Sequence, residues 1–153
     1  MNTIVDIFRK KPLFTLIFCL SYIFVVGFVK WNIRPNISSI LFLAGGAVGV
    51  YFLDAAEVLF HLTPSPFRSI VFSCGFIIVS LFIITSSASF LASGFVLSSY
   101  VTILLWKISE WQKEGNLNSW YRMISVPVPV VIQRYLLYGH IAVFLLETTL
   151  FIL

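Results

Sequence analysis

Apolar residues dominate the chain in runs of about 20, long enough to cross roughly 30 Å of hydrocarbon as helices. Such runs fall at about 12 to 30, 37 to 62, 68 to 86, 88 to 107 and 135 to 153. The third and fourth are one continuous apolar stretch, too long for a single crossing, and Ser86-Ser87-Ala88-Ser89 near its middle supplies the turn. The pattern predicts an all-α integral membrane protein of five transmembrane helices, with 1–153 as a single polytopic domain. Between the last two spans, Leu117, Trp120, Tyr121 and Ile124 recur at helical spacing with polar residues among them, which predicts an interfacial helix at about 116 to 125. Pro127 and Pro129 end it.

Composition agrees with this pattern. Of 153 residues 59% are hydrophobic and 10% charged, and the mean hydropathy is +1.01, outside the range of water-soluble domains. The ten Lys and Arg residues are scattered between spans and form no concentrated patch, so the net charge of +4 reports topology and not a nucleic-acid partner. With the N-terminus inside, Arg9, Lys10, Lys11, Arg68, Lys107, Lys113, Arg122 and Arg134 fall on the cytoplasmic side and only Lys30 and Arg34 outside. The excess of inner cations predicts a cell-membrane (inner-membrane) protein with a cytoplasmic N-terminus and an external C-terminus. Arg9-Lys10-Lys11 followed by an apolar run also resembles a secretory signal, but no small-x-small cleavage site follows, and the segment is read as a span. Cys19 and Cys74 have no companion at CxxC spacing and are read as packing residues.

Gly45 and Gly49 in the second span, a small-xxx-small pair, and Ser89, Ser93, Gly94 and Ser98 in the fourth let helix backbones approach closely. They predict helix packing within the chain, with a homodimer face or another membrane protein as the alternative use. The lipid bilayer is the one partner composition requires.

Ionisable residues inside spans are costly, which makes each a site candidate. Asp54, Glu57 and His61 share one face of the second span, while Gln133, His140 and Glu147 form a stripe on the fifth. Measured from the cytoplasmic end at about 1.5 Å per residue, Asp54, Glu57 and His140 lie roughly 8 to 12 Å deep, and Glu147 about 18 Å. Three readings are open. Asp54 and Glu57 belong to a polar network with Arg68, Lys107 or a neutral histidine that fixes helix order. Alternatively Asp54, Glu57, His61 and His140 are ligands for zinc or manganese, although no sharp motif such as HExxH is present. In the third reading Glu147, His140, Asp54 and Glu57 form a proton or ion path.

Gly45 to Ser73 resembles the opening half of a bacterial inner-membrane family of predicted metal-dependent hydrolases. That family carries a glycine-rich helix before a Pro-Asp-x-Asp-His motif, then His-Arg-Gly-x-Thr-His-Ser, then His-x-x-x-Asp. Here Leu53-Asp54-Ala55-Ala56-Glu57 stands at the first motif, Phe67 to Ser73 at the second, and Thr102 to Trp106 at the third. Asp54, Arg68 and Ser73 match, whereas Ala56, Phe67, Phe72, Thr102 and Trp106 replace the metal-binding positions. The resemblance therefore implies a relative whose metal site has been dismantled, non-enzymatic and with no cofactor. A surviving hydrolase would use Glu57 or Glu110 as base for a metal-bound water, and Arg68 and Lys107 to hold the anionic group of a lipid or phosphate ester.

Overall fold

The computed structural model describes residues 13–32 and 36–153, and Arg9, Lys10, Lys11 and Arg34 of the charge count lie outside them. The described residues form five α-helices: α1 (Leu13–Trp31), α2 (Ile37–Leu59), α3 (Ile70–Ser86), α4 (Phe90–Glu114) and α5 (Val130–Ile152), with a 3-10 turn at Asn118–Tyr121. Four of them, α1, α2, α4 and α5, are long and apolar enough to cross a membrane, and α3 is apolar but has 17 residues. The chain is thus a multi-pass, all-helical membrane protein.

Local chemistry sets the helix limits. Asn36 and Ser39 cap α2 reciprocally, the Asn36 side chain accepting from the Ser39 amide at 2.7 Å and Ser39 Oγ from the Asn36 amide at 3.0 Å. Ser69 and Ser89 do the same for one amide each at the starts of α3 and α4. The expected turn at Ser86 to Ser89 therefore exists, with Ser87 extended and Ser89 the cap.

The largest departures from the hydropathy pattern are at three limits, while α3 and α4 each start two residues late. Helix α2 stops at Leu59 instead of 62, because the next residues form a turn with His61 at φ 49° ahead of Pro64 and Pro66. Helix α4 runs on to Glu114, seven residues past the apolar run, and ends at Gly115 in the left-handed conformation (φ 69°). Helix α5 begins at Val130, directly after Pro129, which suits a helix start. At 116 to 125 a four-residue 3-10 turn replaces the expected helix. Its Leu117, Trp120 and Tyr121 are buried in a core with Leu53, Ile70, Ile103 and Leu137, so the apolar face is covered by protein.

The helices run alternately up and down. Trp31, Phe42, Phe90 and Phe151 meet at one end, with ring centroids 4.8 to 6.0 Å apart. Glu57, Arg68, Trp106 and Trp120 gather at the other. Lipid gives apolar helices no hydrophobic reason to associate, so close packing and interhelical hydrogen bonds must hold them. Helices α2 and α4, which run parallel, show both. A Cβ at Gly45 would overlap the Leu91 carbonyl, at Gly49 the Phe95 carbonyl and Ser98 Oγ, and at Gly94 the Phe42 carbonyl. Ser99 Oγ also donates to the Gly49 carbonyl at 3.2 Å. Ser93 is buried beside Gly94 and returns its own hydroxyl to the Ser89 carbonyl.

Candidate functional site

Two polar centres lie within the bundle. The first is at the end where Glu57 sits. Its carboxylate, buried on α2, accepts from Arg68 Nε at 3.2 Å, and the Arg68 guanidinium stacks 4.4 Å from the Trp106 ring. Arg68 thus joins α2 to α4 from the loop before α3. Asp54, one turn earlier on α2, is also buried. Segments 53–57, 67–73 and 102–106 therefore meet here through Glu57, Arg68 and Trp106.

Lys107 is buried, and its ammonium lies 4.9 Å from the centre of the Trp120 ring. The 3-10 turn that carries Trp120 is pinned from two sides. Glu110 accepts from the Ser119 hydroxyl and from Trp120 Nε1, the latter at 3.0 Å. Gln133, fully buried at the start of α5, accepts from the Leu117 amide at 2.6 Å and donates to Asn118 Oδ1 at 2.8 Å and the Val128 carbonyl at 2.9 Å. Burial raises the Tyr121 phenol above its ordinary value, so it stays protonated.

The second centre is deep in the bundle. Ser80 on α3 donates to Glu147 Oε1 on α5 at 2.9 Å, and neither residue has any exposed surface. Glu147 Oε2 has no hydrogen-bond partner. One residue on, Thr148 hydrogen-bonds the Tyr22 hydroxyl of α1 at 2.7 Å, and Tyr100 of α4 donates to the His140 carbonyl at 3.1 Å. His140 Nδ1 lies 2.9 Å from the Leu136 carbonyl. A carbonyl can only accept, so Nδ1 carries the proton; Nε2 of the neutral ring is then a buried acceptor, and it has no partner.

The expected site residues are thus distributed over three places. Glu57, Arg68 and Trp106 come together, with Lys107 and Glu110 engaged on Trp120. His140 and Glu147 sit two turns apart on α5. His61 is exposed in the turn beyond α2. Among the described residues, no three His, Cys, Asp or Glu side chains form a group that could hold a metal ion. Ser80 and Tyr100 were not legible as partners, since a hydroxyl within an apolar run is indistinguishable in sequence from a packing residue.

Comparison of the chain with family models, curated proteins and solved structures finds no match in any of the three.

Proposed function

We propose that this chain is a non-enzymatic, five-span membrane protein, N-terminus cytoplasmic and C-terminus outside, that serves in assembly with a second membrane protein or a second copy of itself. One observation carries the reading: buried and half-buried polar side chains tie one element to another. Glu57 binds Arg68, Glu147 binds Ser80, Glu110 binds the 3-10 turn and Gln133 binds both the turn and the loop before α5. Such groups fix helix order where hydrophobicity cannot. The small-residue face of α2 and α4 is occupied inside the chain, so a partner meets another surface.

The fifth span is α3. Seventeen helical residues rise about 25 Å, the short end of what crosses a bilayer. It passes beside α5, and its Ser80 meets the buried Glu147. Of the six described Lys and Arg residues, five (Arg68, Lys107, Lys113, Arg122 and Arg134) belong to the end holding Glu57, against Lys30 at the other, which supports placing that end in the cytoplasm.

A second reading, passage of protons or ions, is favoured by Glu147 Oε2 and His140 Nε2, two buried acceptors without partners on one helix. One experiment separates the two. Wild type and Glu147→Gln are compared for unfolding temperature in detergent and for proton flux in proteoliposomes. The assembly reading predicts equal flux in both, matching empty liposomes, and an unfolding temperature close to wild type in the variant, since Gln keeps an oxygen to accept from Ser80. Wild-type flux that disappears in Glu147→Gln establishes the second reading instead.

A further inference from the structure

We propose that the cleft between the loop before α3 and the 3-10 turn is a binding site for a phosphoryl anion, presented either as a lipid headgroup or as a soluble phosphate. The cleft encloses about 260 Å³ and is lined by Arg68, Arg122, Ser65, Ser69 and Ser119 with Trp120 among its walls. Sites for drug-sized molecules span roughly 300–1,000 Å³, so this one suits a headgroup-sized ligand.

The polar groups are set for an anion. Arg68 and Arg122 each use Nε on the protein, Arg68 on Glu57 and Arg122 on the Ser119 carbonyl, both at 3.0 to 3.2 Å. Among the described residues the terminal nitrogens of both guanidinium groups make no hydrogen bond, which leaves two forks of the geometry that binds phosphate oxygens in pairs. Ser65 also lines the cleft, and its hydroxyl has no hydrogen-bond partner among the described residues. Ser69, the N-cap of α3, is itself part of the lining, so the start of that helix and the positive end of its dipole lie beside the cleft.

Among the described residues no carboxylate lines the cleft. The two nearby, Glu57 and Glu110, are held by Arg68 on one side and by Ser119 and Trp120 on the other, and the Lys107 ammonium stands against Trp120. The charged side chains of the lining itself, Arg68 and Arg122, are both cationic. The cleft also lies where the charged ends of the helices lie, the level at which a bilayer presents its phosphates.

The test uses the full chain, wild type beside Arg122→Gln and Ser65→Val. Arg122 is exposed and its loss leaves the Glu57–Arg68 pair intact, so a folded variant is expected. Native mass spectrometry from mixed micelles of phosphatidic acid and phosphatidylcholine reads lipid retention, and inorganic phosphate is titrated against unfolding temperature in phosphatidylcholine nanodiscs. Selective retention of phosphatidic acid that falls roughly tenfold in Arg122→Gln, the loss expected for one charge-assisted contact, assigns the cleft to a headgroup. Stabilisation by inorganic phosphate alone, lost in the same variant, assigns it to a soluble phosphate. Binding of neither probe, or equal binding by wild type and both variants, overturns the proposal.

Discussion

Ser80 and Glu147, 67 positions apart, share a 2.9 Å hydrogen bond in the fully buried centre of the bundle, joining α3 to α5. Helix α3 is the shortest of the five and α5 holds the polar stripe, so this bond is where the third helix is registered against the fifth.

Ser80→Ala removes the donor and leaves both Glu147 oxygens without a partner. Interhelical hydrogen bonds in membrane proteins contribute about 0.6 to 2 kcal/mol, and a loss of that size is expected as a lower unfolding temperature in detergent. Ser80→Thr keeps the hydroxyl and should recover part of it. An unchanged unfolding temperature in Ser80→Ala would show that the bond does not hold the helices.

Arg68→Ala leaves the Glu57 carboxylate buried without its ion pair. Breaking a fully buried pair costs about 3–5 kcal/mol, but the Arg68 side chain is 36% exposed, so roughly 1–3 kcal/mol is expected. Arg68→Ala with Glu57→Gln removes the buried charge together with the cation that paired it and should be more stable than Arg68→Ala alone. A double-variant cycle by thermal unfolding checks the sign.

Gly49→Leu is expected to force α2 from α4, because even a Cβ meets the Phe95 carbonyl and Ser98 Oγ. Gly75→Leu and Gly139→Leu, where a Cβ meets nothing within 4 Å, should express and fold like wild type. The comparison is read by yield of monodisperse protein. Equal yields for all three would contradict the close approach of these helices.

Much of this was legible in the sequence, and the reasons are particular. Apolar run length marked α1 to within a residue, and Ser86 to Ser89 marked the break between α3 and α4 because serines can cap where apolar residues cannot. The end of α4 was not legible, since Trp106 to Glu114 is polar enough to read as a loop yet continues the helix until Gly115. Leu117, Trp120 and Tyr121 read as a membrane-surface face, whereas their apolar side chains are covered by α2, α3, α4 and α5 residues. Spacing alone does not say whether lipid or protein covers an apolar face. The stripe of Gln133, His140 and Glu147 was visible, but its hydroxyl and amide partners come from sequence positions far away.

The orientation is tested by single cysteines at Ser119 and Ser87 in a chain lacking Cys19 and Cys74. A membrane-impermeant maleimide on intact cells should label Ser87→Cys and should reach Ser119→Cys only after lysis. Equal access at both positions would contradict the crossing of α3 and α4.

The most direct measurement is the metal content of chelator-washed protein in detergent, together with its unfolding temperature, for wild type and Asp54→Ala. A structural role for the polar residues of α2 predicts no stoichiometric metal in either protein and a lower unfolding temperature in the variant. Near-stoichiometric zinc or manganese in the wild type, lost in Asp54→Ala with the unfolding temperature of the metal-free protein unchanged, would contradict it.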